Sequence, residues 1–398
     1  MANTLRLGCV SSYVPKKCGV ATFSRDLLEG IKDNDKTVKS FVAAAENTRA
    51  TYKYNNEVIT VLKSDNPKSY VLASAKLNSL QLSAVLLQHE FGLFGGQFTS
   101  FIKDGMGYSY PTGKYIFELL DNLKAPLITT FHTVISKPDP VRKAVIKKIA
   151  KQSVAIITMT EDSKTILCRD YNIRENKISI IPHGTPKLIH RNRATILKEL
   201  GLSKDNFYMV MSGLLGPNKG VDLAIRAMPN ILKKHPNVRL VIIGQTHPDI
   251  FAVLGKSYMS SLTNLAKKLN VSHAVNFVDK YVKTSELSKY LAITDIYLTP
   301  HRDPEQAASG TLAYAIGNGL ITISTPYRYA QELLANKRGF LVPFEDYTSI
   351  AKTVNRLISR SNLRKRTKAL LKPYADSMSW EAVSESYLKL INIHAAKI

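Results

Sequence analysis

Cysteine, tryptophan, acidic side chains and long apolar runs are all scarce in this chain. Its three cysteines, Cys9, Cys18 and Cys168, are odd in number among 398 residues. They lack the paired short spacing of a zinc or redox site. A disulfide scaffold is therefore excluded, and the thiols read as reduced, small apolar fillers. No window approaches the ~18 continuous apolar residues of a membrane-spanning helix, and the apolar runs are short ones such as 154–157. An integral membrane protein is excluded on that ground. The opening residues carry no long apolar core behind Arg6, which predicts a chain that stays in the cytoplasm instead of one led out by a secretory signal.

Acidic residues number 31 against 55 lysines and arginines, a formal net charge of +24. The hydrophobic share of 44% is that of a folded enzyme and excludes global disorder. At ~150 residues per domain, the length predicts two to three domains, each able to bury a core. The positive excess concentrates anions of any kind near the surface. It is densest over 142–151 and 360–372, where apolar residues recur at helical spacing beneath the lysines. The plain reading is a solvated helix face. The other is peripheral contact with an anionic membrane at its inner face. Nucleic acid is set aside, because no recognition motif accompanies the charge.

Short β-branched or apolar runs alternate with helix-length segments throughout, the βαβ pattern of parallel sheets covered on both faces, so the fold class is α/β. Strands are predicted at 5–10, 38–43, 58–62, 84–88, 127–131, 154–159 and 178–181, then at 207–211, 238–243, 275–277, 296–298, 320–324 and 340–342. The polar stretch after Pro182-His183-Gly184, running to Asn192, looks like a hinge between two sheets. This predicts a Rossmann-like domain over 1–186, a second over 187–375, and a helix over 376–398 that opens at Ser379 and returns to the first. Two such units are expected to face each other across a cleft. The stretch 97–111, with Gly105 and Gly107, reads as a loop insertion.

Ligands of parallel sheets bind where strands end and helices begin, because helix N-termini offer free N–H groups and partial positive charge. The first strand is followed by Pro15-Lys16-Lys17-Cys18-Gly19, with a glycine at the helix start but no GxGxxG. Between 296 and 320, Ser309, Gly310 and Thr311 open a helix just past a strand, where their amides could cradle a phosphate or act as plain N-caps. Glu305 stands nearby to accept hydrogen bonds from hydroxyl groups. Asp33-Asn34-Asp35 offers a metal-like Asp-x-Asp but follows a helix, so it reads as a solvated turn, and no metal is expected.

On these motifs the chain resembles family 4 of the retaining glycosyltransferases of GT-B fold. The residues that carry the likeness are Gly213-Leu214-Leu215-Gly216-Pro217-Asn218-Lys219-Gly220, the segment from Glu305 to Gly319, and Gly339-Phe340-Leu341-Val342-Pro343-Phe344 behind Glu332. Gln88-His89-Glu90-Phe91-Gly92, Thr246-His247-Pro248 and Ser309-Gly310-Thr311-Leu312-Ala313-Tyr314-Ala315 are similar to a bacterial, mannosyltransferase-like subgroup. The resemblance implies a sugar nucleotide held mainly by the second domain, with the acceptor entering against the first. It implies that Lys219, with the amides of Ser309, Gly310 and Thr311, binds the donor diphosphate, and Gly19 is a further candidate there. It implies that Glu305 holds hydroxyls of the transferred sugar and that His132 contacts that sugar near its anomeric centre.

Lys16 and Lys17 are candidates for a second phosphate cation. His89 and Glu90 could position or deprotonate an acceptor hydroxyl, or form a structural pair. His183, Tyr281 and Glu332 are further candidate contacts. Two departures stand out: Ala313 occupies the place of the second glutamate in the family's Glu-x7-Glu pair, and Leu214 stands where the family often has arginine. The implied activity is transfer of a hexose, mannose from GDP-mannose first, onto a glycan or glycolipid hydroxyl, without cofactor or metal. A UDP-sugar is the near alternative. A sugar- or polyanion-binding protein that lost turnover is the alternative from another class.

Overall fold

A computed structural model describes residues 4–46, 51–95, 98–103, 106–187 and 191–395. The chain forms two compact units, one of Met1–Gly184 with Trp380–Ile398 and the other of Thr185–Ser379. Among the described residues the first holds β1 (Arg6–Ser11), β2 (Lys39–Glu46), β3 (Val58–Lys63), β4 (Ala84–His89), β5 (Phe98–Lys103), β6 (Met106–Pro111), β7 (Leu127–Phe131), β8 (Ser153–Thr158) and β9 (Ile178–Ile180). Seven of them make one sheet in the order β3-β2-β1-β4-β7-β8-β9, with parallel pairing throughout. Every residue of β4 and β7 is buried, which is why these strands read as apolar runs without alternation.

The last helix, Trp380–His394, belongs to this unit and packs on the helix Gly19–Asn34. Asn34 Nδ2 donates to Ser384 Oγ and to the Glu381 carbonyl, each at 2.9 Å. The Tyr387 hydroxyl lies 2.9 Å from Thr130 Oγ1 on β7. Asn34 of the Asp33-Asn34-Asp35 run is thus a helix-to-helix link, and Asp35 Oδ1 accepts from the Thr37 amide at 2.9 Å. Among the described residues no group of three or more His, Cys, Asp or Glu is arranged to hold a metal.

The second unit holds β10 (Phe207–Ser212), β11 (Val238–Ile243), β12 (Val275–Val278), β13 (Ile296–Thr299), β14 (Thr322–Ser324) and β15 (Phe340–Leu341). They form one parallel sheet in the order β12-β11-β10-β13-β14-β15. Chain order reverses between β10 and β13, and likewise between β1 and β4 in the first unit. Loops leaving the ends of strands at such a reversal splay apart and leave room for a ligand. The helix Val221–Leu232 turns Val221, Ala224, Ile225, Met228 and Ile231 into the core.

Two expectations are corrected. The segment 97–111 is not a loop insertion: β5 and β6 pair antiparallel, Phe98 with Pro111 through to Lys103 with Met106. Asp104-Gly105, the dipeptide between them in sequence, is a strong tight-turn signal flanked by β-forming Phe and Tyr. Gln97 and residues 104–105 lie outside the described residues, as do 188–190 of the stretch expected to be a hinge, and 396–398. Of the cysteines only Cys9 is a buried filler; Cys18 and Cys168 are half-buried and free, and Cys18 Sγ lies 3.6 Å from Ser12 Oγ.

The basic stretches fall on the helices Pro140–Gln152 and Ser361–Ser377. Lys143, Lys147 and Lys151 face solvent while Val145, Ile146 and Ile149 are buried, and Lys365, Arg366 and Lys368 are exposed above Thr367 and Leu371. Among the described residues no helix is long and apolar enough to cross a membrane.

Candidate functional site

In the second unit, β10 runs into the loop Gly213 to Gly220, which begins the helix Val221–Leu232. Gly220 has φ +61°, a left-handed conformation that costs little only for glycine. It lies against the chain at the end of β13, where a Cβ would come within 2.0 Å of the Pro300 carbonyl oxygen. Arg302, just past β13, ties the loop down. Its amide donates to the Asn218 carbonyl at 2.9 Å, and its guanidinium donates to the Pro217 carbonyl at 2.7 Å and to both Asp222 carboxylate oxygens at 2.8 and 2.9 Å. Glu345 closes the guanidinium's other edge at 2.5 Å.

Lys219 stands on this braced loop, half-buried. Removal from water holds its ammonium down to about 8, because a charge away from solvent is disfavoured. Among the described residues it has no carboxylate partner. Its charge acts on the buried His301, whose ring is held well below its usual range chiefly by burial. His301 stacks on Tyr327 with centroids 5.0 Å apart, and its Nδ1 lies 3.0 Å from Gln306 Oε1. Gln306 Nε2 in turn donates to the Ala308 carbonyl at 2.9 Å, fixing the approach to Ser309.

Ser309 caps the helix Gly310–Gly317 and accepts from the Leu312 amide at 3.3 Å. Both sequence readings of this serine therefore bear on one place: it is an N-cap, and it sits at a helix end whose first-turn amides point outward. A Cβ on Gly213 would lie 3.1 Å from Thr311 Cγ2, so the loop carrying Lys219 starts beside the start of this helix. Glu305 is half-exposed, with Arg328 Nη1 3.7 Å from its carboxylate. Glu332 is one turn further along the helix Arg328–Leu333, half-buried. Ala313 and its neighbour Leu312 are buried, filling the core side of the helix.

Beside the loop, Thr246 bridges to Leu215. It lines a cavity of about 840 Å³ between the ends of β11 and β12 and the helix Ser257–Lys268, with Phe251, Lys256, Phe277 and Asp279 also on its wall. Lys280 pairs with Glu286 at 2.8 Å. Tyr281 is exposed.

In the first unit, β1 leads through Lys16 and Lys17 to Gly19, which opens the helix Gly19–Asn34 and has open space where a Cβ would stand. Lys16 is half-buried and Lys17 exposed. The ends of β4 and β7 bring together Gln88, His89, Glu90 and His132, and Phe23 sets its ring edge-on to both His132 (4.7 Å) and His183 (5.0 Å). His183 Nδ1 lies 2.7 Å from the Gly184 carbonyl oxygen. Burial holds the imidazoles down, His89 and His132 to about 3 and His183 to about 4. All three are neutral rings at physiological pH.

His89 and Glu90 do not pair with each other. His89 packs among Phe91, Phe94 and Phe131, whereas Glu90 accepts from the Thr133 hydroxyl at 2.7 Å and the Phe91 amide at 2.8 Å. Burial outweighs these two bonds and pushes Glu90 up to about 7. Between pH ~4.3 and 7 the folded chain therefore binds more protons than the unfolded one. Stability from this group is full below that window and falls as pH rises through it. Glu90→Gln is expected to melt higher than the parent at pH 8 and level with it near pH 4; equal melting temperatures at pH 8 would show the carboxylate to be solvated.

His301, Arg302 and Arg328 are the site residues that sequence reading passed over. Arg302 lies three residues before Glu305, but its partners Asp222 and Glu345 are 80 and 43 positions away, so no local spacing reveals the brace.

Family comparison adds two matches. The model described as "Glycosyl transferases group 1" matches residues 192–370, and that described as "Glycosyltransferase Family 4" matches residues 19–186. An uncharacterized glycosyltransferase of Methanocaldococcus jannaschii is 24% identical over 61% of this chain and 60% of its own length. A D-inositol 3-phosphate glycosyltransferase of Nocardia farcinica is 23% identical over 68% of this chain, which spans 61% of that relative. One of Corynebacterium jeikeium is 24% identical over 86% and 85%. Among solved structures, Anabaena HepE in complex with UDP and glucose superposes with a TM-score of 0.71 at 13% identity, over 98% of this chain and 100% of its own. The sucrose-phosphate synthase of Thermosynechococcus elongatus gives 0.72 at 14%, over 98% of each chain. The two parallel-sheet units thus have the GT-B fold.

Proposed function

We propose, for a chain that belongs to the glycosyltransferases of group 1 and family 4, that it moves a hexose from a nucleotide sugar onto a hydroxyl of a glycan or glycolipid, with retention of anomeric configuration. One observation carries this reading. A half-buried ammonium, Lys219, stands without a carboxylate partner among the described residues, on a braced loop that begins beside the first-turn amides of the helix Gly310–Gly317. A diphosphate suits that pairing, since the cation and the helix end both favour negative charge in a poorly hydrated place.

In this reading Lys219 and the amides of Ser309, Gly310 and Thr311 neutralise the leaving nucleoside diphosphate, a task other transferases give to a divalent metal. Glu305 holds hydroxyls of the sugar with the Arg328 guanidinium alongside, and Glu332 is a further contact. In the first unit His132 orients the sugar, Glu90 and His89 serve the acceptor hydroxyl, and Lys16, Lys17, Gly19 and His183 are supporting contacts. Same-face attack through an oxocarbenium-like transition state gives an α-linked product from an α-linked donor. The exposed cations of the helices Pro140–Gln152 and Ser361–Ser377 would hold the enzyme against an anionic membrane on its cytoplasmic side.

The subgroup motifs favour GDP-mannose. UDP-sugars are the second reading, since HepE is described in complex with UDP and with UDP-glucose. The cavity beside Thr246 and Asp279 has the volume of a small-molecule site, and in either reading it takes the nucleoside.

A thermal-shift screen of GDP, UDP and ADP tests the proposal: the right diphosphate at a hundredfold its Kd stabilises by ~2.7 kcal/mol, and no shift with any of them overturns it. Slow hydrolysis of the matching sugar nucleotide separates an enzyme from a mere binding protein. Dialysis against EDTA is expected to leave the transfer rate unchanged. A rate restored only by magnesium or manganese would assign the diphosphate charge to a metal and not to Lys219.

A further inference from the structure

We propose that Gln88 is a positioning residue whose side-chain carbonyl fixes the tautomer of His132, leaving His132 Nδ1 as a bare acceptor for a sugar hydroxyl. The inference rests on the sugar-binding role proposed above for His132, and it supplies what that role needs, a ring nitrogen held in one protonation state and one direction.

Gln88 and His132 stand at the ends of neighbouring parallel strands. Gln88 is the partner of Thr130 in the β4–β7 register, and the His132 amide donates to the His89 carbonyl at 3.0 Å. This backbone bond carries His132 one step past β7 and brings its Nε2 to 2.9 Å from Gln88 Oε1. Gln88 is fully buried and His132 is 7% exposed. An amide oxygen can only accept, so the proton of this hydrogen bond belongs to the imidazole. The ring is neutral, held near 3 chiefly by burial; it has one N–H to give, and Nε2 takes it. Nδ1 is then an acceptor, with no hydrogen-bond partner among the described residues.

The groups around the ring leave this arrangement undisturbed. Phe23 meets it edge-on. The titratable side chains acting on it are His89 from β4 and His183, both neutral by burial. Glu90, the nearest carboxylate in sequence on that strand end, is engaged by Thr133 and the Phe91 amide.

Gln88 is also a costly choice for a filler. Its Nε2 is buried with no acceptor among the described residues, whereas a leucine of similar volume would leave no polar atom unsatisfied. A glutamine in a fully buried position at that cost is explained by its oxygen.

The test is nitrogen NMR of the histidine rings in the full chain, with Gln88→Leu and Gln88→Glu beside the parent. The parent is expected to show His132 as the pure Nε2–H tautomer from pH 5 to 9. Gln88→Leu is expected to admit the Nδ1–H form and to lower kcat by about 10–100-fold, the scale of loss when the orienting partner of a metal-bound histidine is removed, with donor KM little changed. Gln88→Glu keeps an acceptor, and so the tautomer, but its charge favours the imidazolium; activity is then kept at pH 8 and lost toward pH 6 as Nδ1 protonates.

An Nδ1–H tautomer in the parent overturns the proposal whatever the variants do. So does an unchanged tautomer, or an unchanged kcat, in folded Gln88→Leu. The ring spectra need no substrate. A tautomer that shifts as expected in a chain that transfers no sugar would therefore sink the enzymatic reading while leaving the lock itself standing.

Discussion

Replacing Lys219 with methionine is expected to weaken nucleoside diphosphate binding by about 10–100-fold at pH 7, the ~1.5–3 kcal/mol of a hydrogen-bonded charge, and at the same time to raise the melting temperature of the free protein. The two effects share one cause. Lys219 is half-buried, with no carboxylate partner among the described residues, and its ammonium is held down to about 8. The folded chain thus carries a charge at a cost that only a bound anion offsets. Methionine fills the same volume without that charge.

The sign with pH follows. Between 8 and the unfolded lysine value near 10.4 the unfolded chain binds more protons than the folded one, so stability from this group rises with pH. The gain in Lys219→Met is therefore greatest below pH 8 and fades above it. Parental affinity for the diphosphate should fall as pH passes through about 8, approaching tenfold per pH unit if only the ammonium binds. Titration calorimetry at pH 7, 8 and 9 with differential scanning on both proteins reads all of this. Equal affinity in parent and variant removes Lys219 from the site.

Gly220→Ala is expected to destabilise the second unit by about 3 kcal/mol or more, because a left-handed alanine costs ~1–2 kcal/mol before any clash. Its Cβ would also fall 2.0 Å from the Pro300 carbonyl oxygen, a backbone atom that cannot rotate away. Gly255→Ala is the control. Gly255 has a similar φ of +54° but open space around its Cβ, so only the conformational share, ~1–2 kcal/mol, should be lost there. Urea unfolding of the two variants separates strain from collision; equal losses would mean that the loop end and the end of β13 are not pressed together. Whatever Gly220→Ala remains folded should show little protection by a nucleoside diphosphate, since relieving the collision moves Lys219.

Much of this was legible in the order of residues. Apolar runs such as those of β4 and β7 announce strands buried on both faces, so the α/β class and the positions of such strands could be read off directly. The loop Gly213 to Gly220 and the helix start at Ser309 stood out because glycine and small residues at strand ends are poor choices for anything but turns and close approach. The antiparallel pairing of β5 and β6 is less legible: Asp104-Gly105 is a turn signal, but glycine serves irregular loops equally well, so neighbouring residues alone do not separate the two.

What the residues determined by themselves is whatever depends on neighbours along the chain: periodicity, turn chemistry, helix caps and net charge. Only the tertiary structure decided that Arg302 braces Asp222 and Glu345, that Glu90 turns from His89 to Thr133, that Gln88 meets the ring of His132, and that Lys219 is short of water. Each of these is a contact between distant positions or a matter of burial, and hydrogen-bond partners and desolvation exist only once strands far apart in sequence have been laid side by side.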